Sequence, residues 1–163
     1  MLWQVDIYPA PGHLDRSADE IGTDAADLGF GELAVFTSRG YLLQGDLDAT
    51  QIQTITDQLL VDPVVERTVF APVGDAVLNQ PPQNDLCPLH VLLKPGVMDP
   101  VAQSALRAIG DLGIEMQAIR TLKKYWLTDL ETDTLNRLAT KILANDAIEQ
   151  VVAGPLDFQQ LHL

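Results

Sequence analysis

The chain echoes itself. Residues 3–70 are matched by residues 89–153 at a nearly constant offset of 84. Asp15 answers to Asp99, Ala18 to Ala102, and Asp27-Leu28-Gly29 to Asp111-Leu112-Gly113. Farther on, Thr37 answers to Thr121, Tyr41 to Tyr125, Leu43 to Leu127, Leu59 to Leu143 and Asp62 to Asp146. A period that long marks a duplicated small domain rather than a solenoid. A domain of roughly 65–70 residues buries only about 60% of its unfolded surface when alone and is marginally stable. The two copies are therefore expected to pack intimately, so that one chain does what a homodimer of half-length chains would do. The expected organisation is a first, divergent and acidic repeat over 1–70, a linker over 71–88, a second repeat over 89–153 and a tail over 154–163.

Within each copy the patterning predicts strand, helix, strand, strand, helix, strand. Trp3, Val5 and Ile7 alternate with Gln4 and Asp6, the period of a half-buried strand. Leu14, Ala18, Ile21, Ala25 and Leu28 recur at helical spacing, and Gly29 ends the run. Leu33, Val35 and Thr37 then read as a strand, Ser38-Arg39-Gly40 as a hairpin turn, and Tyr41-Leu42-Leu43 as its return. Asp48 or Thr50 is expected to cap a second helix through Ile52, Ile55, Leu59 and Leu60, and Val64 to Phe70 to close the unit. Copy two repeats this with strands at Leu89 to Leu93, Met116 to Arg120, Tyr125 to Thr128 and Ile148 to Val152. Its turn is placed at Lys123-Lys124, its first helix runs from Met98 to Ile109, and Asp133 or Thr134 caps its second. The βαββαβ order implies an α+β fold: two ferredoxin-like repeats with antiparallel sheets and helices on one face, joined as an intramolecular pseudo-dimer.

Charge and composition narrow the function. With 47% hydrophobic and 20% charged residues the chain has ordinary globular composition. A net charge of −13 disfavours nucleic-acid binding, which needs a basic surface. No apolar run approaches the ~18 residues of a membrane span, and the first residues lack the basic start and small-residue cleavage site of a signal peptide. The single cysteine, Cys87, fits a cytoplasmic protein. Residues 1–85 hold 14 Asp/Glu against three Lys/Arg, for −11, whereas residues 86–163 hold nine acids against seven bases, for −2. The acidity reads as a solubilising surface, and its imbalance as two copies facing different partners.

Chemistry-bearing constellations are scarce. There is no glycine-rich phosphate loop. His13, His90 and His162 are scattered, and no Cys/His pair has zinc spacing. Cys87 and His90 lie close in sequence, but no orienting third group accompanies them. The recurrent acids Asp15/Asp99 and Asp62/Asp146 could be paired carboxylates, yet they sit where helix caps and turns belong. The best polar candidate is the basic cluster Arg120, Lys123 and Lys124, with Lys94 in the same copy. At a hairpin it could hold an anion or dock an acidic surface, or simply be a solvated turn.

Copy two also reads Val91-Leu92-Leu93-Lys94-Pro95-Gly96-Val97-Met98-Asp99-Pro100, then a helix to Leu112-Gly113, then Ile119-Arg120-Thr121-Leu122-Lys123-Lys124. This resembles PurS, the small subunit of phosphoribosylformylglycinamidine (FGAM) synthase, whose pattern is a strand ending in K-x-G-V-x-D-P, a helix ending in L-G, and a strand leading to a V-R-x-G-K turn. Leu122 replaces the glycine of that turn. In copy one the Lys94 position reads as Tyr8, with two residues inserted near Pro11, and Pro100 is replaced by Arg16.

The resemblance implies a covalently joined PurS pair, either a separate subunit or the N-terminal part of a large single-chain FGAM synthase. It implies a non-catalytic bridge between an ATP-using synthetase (PurL-like) and a glutaminase (PurQ-like) in de novo purine synthesis. ATP, Mg and glutamine serve the complex, with no cofactor in this chain and room for further self-association. The partner-contact candidates it suggests are Lys94, Arg120, Lys123 and Lys124. An alternative is a tandem ACT-like module that binds an amino acid, since Pro11-Gly12-His13-Leu14 resembles the turn after the first strand of ACT domains.

Overall fold

A computed structural model describes residues 1–163. The first unit runs β1 (Leu2–Pro9), α1 (Arg16–Asp27), β2 (Val35–Gln44), α2 (Ala49–Ile55) and β3 (Glu66–Pro72). The second runs β4 (Leu86–Leu93), α3 (Pro100–Asp111), β5 (Ala118–Thr128), α4 (Thr132–Leu138) and β6 (Glu149–Ala153). In each unit the second helix ends in a π-helical turn, Thr56–Leu60 and Ala139–Leu143. The strands form one antiparallel sheet in the order β3-β1-β2-β5-β4-β6. The α+β class and the helix layer therefore stand, but the units share a single sheet, zipped by ten residue pairs between β2 and β5. No helix is long and apolar enough to cross a membrane.

The predicted hairpin turns do not form. Ser38-Arg39-Gly40 lies inside β2, and Lys123-Lys124 inside β5, so the second and third strands of each unit merge into one. Gly40 is not among the positive-φ glycines. It is a strand glycine because a Cβ there would collide with the Val5 carbonyl oxygen and crowd Leu122. Lys123 and Lys124 have strand partners on both sides, Arg39 and Val91 for the first, Ser38 and His90 for the second. Two lysines in succession are polar enough to suggest a turn, but a strand can send them to opposite faces.

The helix face carries two cores, and each draws on both units. Ala102 and Ile109 of α3 pack with Trp3, Val5, Tyr41, Leu43, Ile52 and Ile55 of the first unit. Conversely, Ile21 and Ala25 of α1 pack with Leu89, Val91, Tyr125, Leu127, Leu138 and Leu143 of the second. The intimacy expected from the small size of each repeat takes this form: the first helix of each unit completes the core of the other.

The opposite face is also covered, which the alternation of β1 does not reveal. Gln4 and Asp6 are buried, not solvent-facing, at 1% and 0% exposure. Val73, in the connection between β3 and β4, and Leu156, in the tail, close a third core over Leu2, Leu42, Leu92 and Leu122. The connection is shorter than its proline content suggests, since Ala71-Pro72 and Leu86-Cys87-Pro88 pair in the sheet.

The structure also refines the internal register. Pro11-Gly12 matches Pro95-Gly96 without insertion, both glycines having φ 86°. Ala10 and Lys94 donate equivalent backbone bonds to Val65 and Ile148, both at 2.8 Å, so Ala10, not Tyr8, holds the Lys94 position. After β2 and β5 the offset drops to 83. Asp62 then matches Asn145, each accepting from the backbone two residues on, and Leu60 matches Leu143. Asp62 and Asp146 are thus not counterparts.

Candidate functional site

The recurrent aspartates that remain in register are structural. Asp15 caps α1 by accepting from the Ala18 amide at 3.0 Å, and also accepts from the Thr37 amide and hydroxyl at 2.8 and 2.6 Å. Asp99 does the same for α3 with Ala102 and Thr121, at 3.0, 2.8 and 2.9 Å. Each carboxylate fastens a helix start to the neighbouring long strand, which explains why both Asp and Thr recur. The second helices differ. Asp48 makes a reciprocal capping box with Gln51, whereas α4 starts after Glu131, which makes no side-chain cap, instead of at Asp133 or Thr134.

The four cationic candidates occupy four different surroundings. Lys94 donates to the Asp146 carbonyl at 2.6 Å and Arg120 to the Val97 carbonyl at 2.7 Å, so both half-buried side chains tie down turns of their own chain. Lys123 is exposed and lies 3.3 Å from Glu149. Lys124 is wholly buried and cannot touch a partner. Its ammonium donates to Asp6 at 2.8 Å and to the Leu78 carbonyl, and sits 4.9 Å from the Trp126 ring centre. To reach Asp6 on β1 it crosses β2, whose residues beneath it are Ser38 and Gly40. Small side chains there leave the room.

This ion pair belongs to a buried polar network joining the units. Gln4 donates to Asp6 at 2.9 Å and contacts His90 Nε2 at 3.2 Å, while His90 Nδ1 lies 2.9 Å from the Gly154 carbonyl. A carbonyl only accepts, so His90 carries its proton on Nδ1 and accepts from Gln4 at Nε2. Burial, with Lys124 nearby, pulls the His90 pKa down to about 4 and keeps the ring neutral. Burial pushes Asp6 up, and the facing ammonium opposes that shift. Trp126 donates to the Tyr8 hydroxyl at 2.8 Å in the same layer. Sequence reasoning missed Gln4 and Asp6 because polar alternation resembles a wet face. The one available signal was the lysine at position 124 where its counterpart is Gly40, an unusual exchange within a repeat.

Cys87 and His90 do not form a nucleophilic pair. They lie three apart on β4, so their side chains point to opposite faces of the sheet. Partial burial, and then Asp129, push the Cys87 thiol up, away from reactivity. No group of three or more His, Cys, Asp or Glu side chains is placed to hold a metal ion.

The remaining feature is a pair of cavities flanking the β2–β5 seam on the helix face. Ile7, Ser17, Thr37 and Glu66 line the larger, of about 640 Å³. Their counterparts Val91, Val101, Thr121 and Glu149 line the smaller, of about 300 Å³. Arg39 and Lys123 are strand partners at the seam and line both. Arg39 holds Glu66 through two bonds of 3.1 and 2.8 Å.

Comparison with known families adds one finding. Residues 87–153 match the family model of PurS, phosphoribosylformylglycinamidine (FGAM) synthase. No curated protein matches the chain. The matched stretch runs from the second residue of β4 to the end of β6.

Proposed function

We propose that this chain, whose residues 87–153 match the PurS family model, is a non-catalytic bridge within FGAM synthase in purine biosynthesis. It joins an ATP-using synthetase to a glutaminase. The first unit, by duplication, stands where a second PurS chain would stand. The observation that carries the reading is the family match to the second unit, set beside a first unit of the same element order continuing the same sheet.

Two features support a bridge. The exchanged helices leave little freedom between the units, so the chain offers a fixed spacing between its two ends. The two halves also differ in charge, −11 over residues 1–85 against −2 over 86–163, so the two ends can select unlike partners. Lys123, the exposed member of the four cations, is the first candidate for contact with an acidic partner surface.

Size-exclusion chromatography of the chain mixed with the synthetase and the glutaminase, with glutamine and Mg-ADP present, tests this. A peak containing all three is expected. Separate elution of this chain, with and without the ligands, would refute the bridge.

A further inference from the structure

We propose that the larger seam cavity binds a small dianion lacking an ammonium group, such as a phosphate monoester or a dicarboxylate. The argument rests on where charge collects. The acidic first half has only three cations, Arg16, Arg39 and Arg67. Two of them, Arg16 and Arg39, line this cavity, and Lys123 reaches into it from the second unit. Arg16 is exposed and makes no ion pair or side-chain hydrogen bond. Arg39 is held in place by Glu66 while its side chain stays 48% exposed, and Lys123 stays 53% exposed. Three guanidinium or ammonium groups on one concavity suit an anion with more than one charge.

The carboxylates nearby are already engaged, Glu149 outside the cavity lying 3.3 Å from Lys123, and Arg16 has no carboxylate partner. Asp15 already accepts from the Ala18 amide and from the amide and hydroxyl of Thr37. Glu66 takes two bonds from Arg39 and one from the Asp62 amide. Each carboxylate keeps about one of its four acceptor sites, while Arg16, Arg39 and Lys123 all repel a ligand ammonium, which favours a dianion over a zwitterionic amino acid. Tyr125 also lines the cavity, and burial and Glu149 push its pKa up to about 12, so its hydroxyl stays protonated.

The mate cavity serves as an internal control. Arg16 and Ser17 line the larger one; their counterparts are Pro100 and Val101, of which Val101 lines the smaller, and the smaller is less than half the volume. The seam pair Arg39 and Lys123 is common to both, so Arg16 and Ser17 mark the difference. Of two cavities with the same frame, only the larger has the third cation.

The test is isothermal titration of the full chain with inorganic phosphate, succinate and glutamine, at constant ionic strength set with NaCl. The expected result is saturable binding of phosphate or succinate with Kd near ~1 mM, and none of glutamine. Whichever dianion binds more tightly identifies the class. Arg16→Gln and Lys123→Gln, both at exposed positions, should each weaken it about tenfold. Lys94→Gln, outside the cavity, should leave it unchanged. No saturable binding of either dianion up to about 10 mM would overturn the proposal. So would equal weakening by Lys94→Gln, or glutamine binding as tightly as the dianions. The outcome is independent of whether the chain bridges a synthetase and a glutaminase.

Discussion

Replacing Lys124 with methionine removes one charge from a place that water does not reach. The Lys124 and Asp6 side chains are 0% and 1% exposed, and their 2.8 Å contact is the link that spans from β5 across β2 to β1. Methionine fills nearly the same volume, so packing is largely kept. Asp6 is left with Gln4 as its only partner and must bury a charge or take up a proton. Breaking a buried pair from one side costs about 3–5 kcal/mol, whereas replacing both partners with apolar residues is often neutral. The Leu78 carbonyl also loses its donor. With a urea m-value of ~2 kcal/mol/M, Lys124→Met should lower the unfolding midpoint by about 2 M at pH 7. Asp6→Leu/Lys124→Met should recover most of that, with m unchanged in all three proteins. A loss below about 1 kcal/mol for Lys124→Met is what a solvated surface pair gives. That result would refute the placement of Lys124 beneath the inter-unit connection.

Three further outcomes follow from the same geometry. His90 has a folded pKa of about 4 against an unfolded 6.5, so its contribution to stability is complete above pH 6.5 and is lost as pH falls toward 4. That amounts to about 3 kcal/mol. Asp6 shifts upward and acts in the opposite sense, so the readout is the difference between wild type and His90→Gln in urea midpoints from pH 7.5 to 4.5, with wild type showing the steeper decline. Asp99→Ala removes three hydrogen bonds from a carboxylate that is 5% exposed and should cost about 3 kcal/mol. Asp15→Ala, at the more exposed site, should cost less in the same melt. Gly40→Ala drives a Cβ into the Val5 carbonyl and should lower the thermal midpoint by at least several degrees, whereas Ala at the open helical Gly110 should be neutral or stabilising.

Much of the fold was legible because the repeat constrains it. Helices over Arg16–Asp27 and Pro100–Asp111, with Asp15 and Asp99 as their caps, follow from apolar spacing and cap chemistry. The long strands β2 and β5 were not legible as single elements, because a glycine and a lysine pair read locally as turns. What holds them straight is nonlocal: β1 against Gly40, and β4 and β2 on either side of Lys124. The cover over the second sheet face escaped for the same reason. Leu78 and Leu156 lie in segments without periodicity, so nothing local says that both are buried, the first accepting a hydrogen bond from Lys124 and the second closing the third core. Among the candidate cations, only strand alternation separates exposed Lys123 from buried Lys124. Arg16 and Arg39, which line the larger cavity with Lys123, come together through the β2–β5 seam.

The proposed bridging role is tested most directly by measuring FGAM formation in the assembled enzyme with glutamine and, separately, with ammonia as nitrogen donor, each with and without this chain. A non-catalytic bridge predicts that omitting the chain abolishes the glutamine-driven reaction and leaves the ammonia-driven one nearly intact. Equal loss of both reactions, or loss of neither, would contradict it.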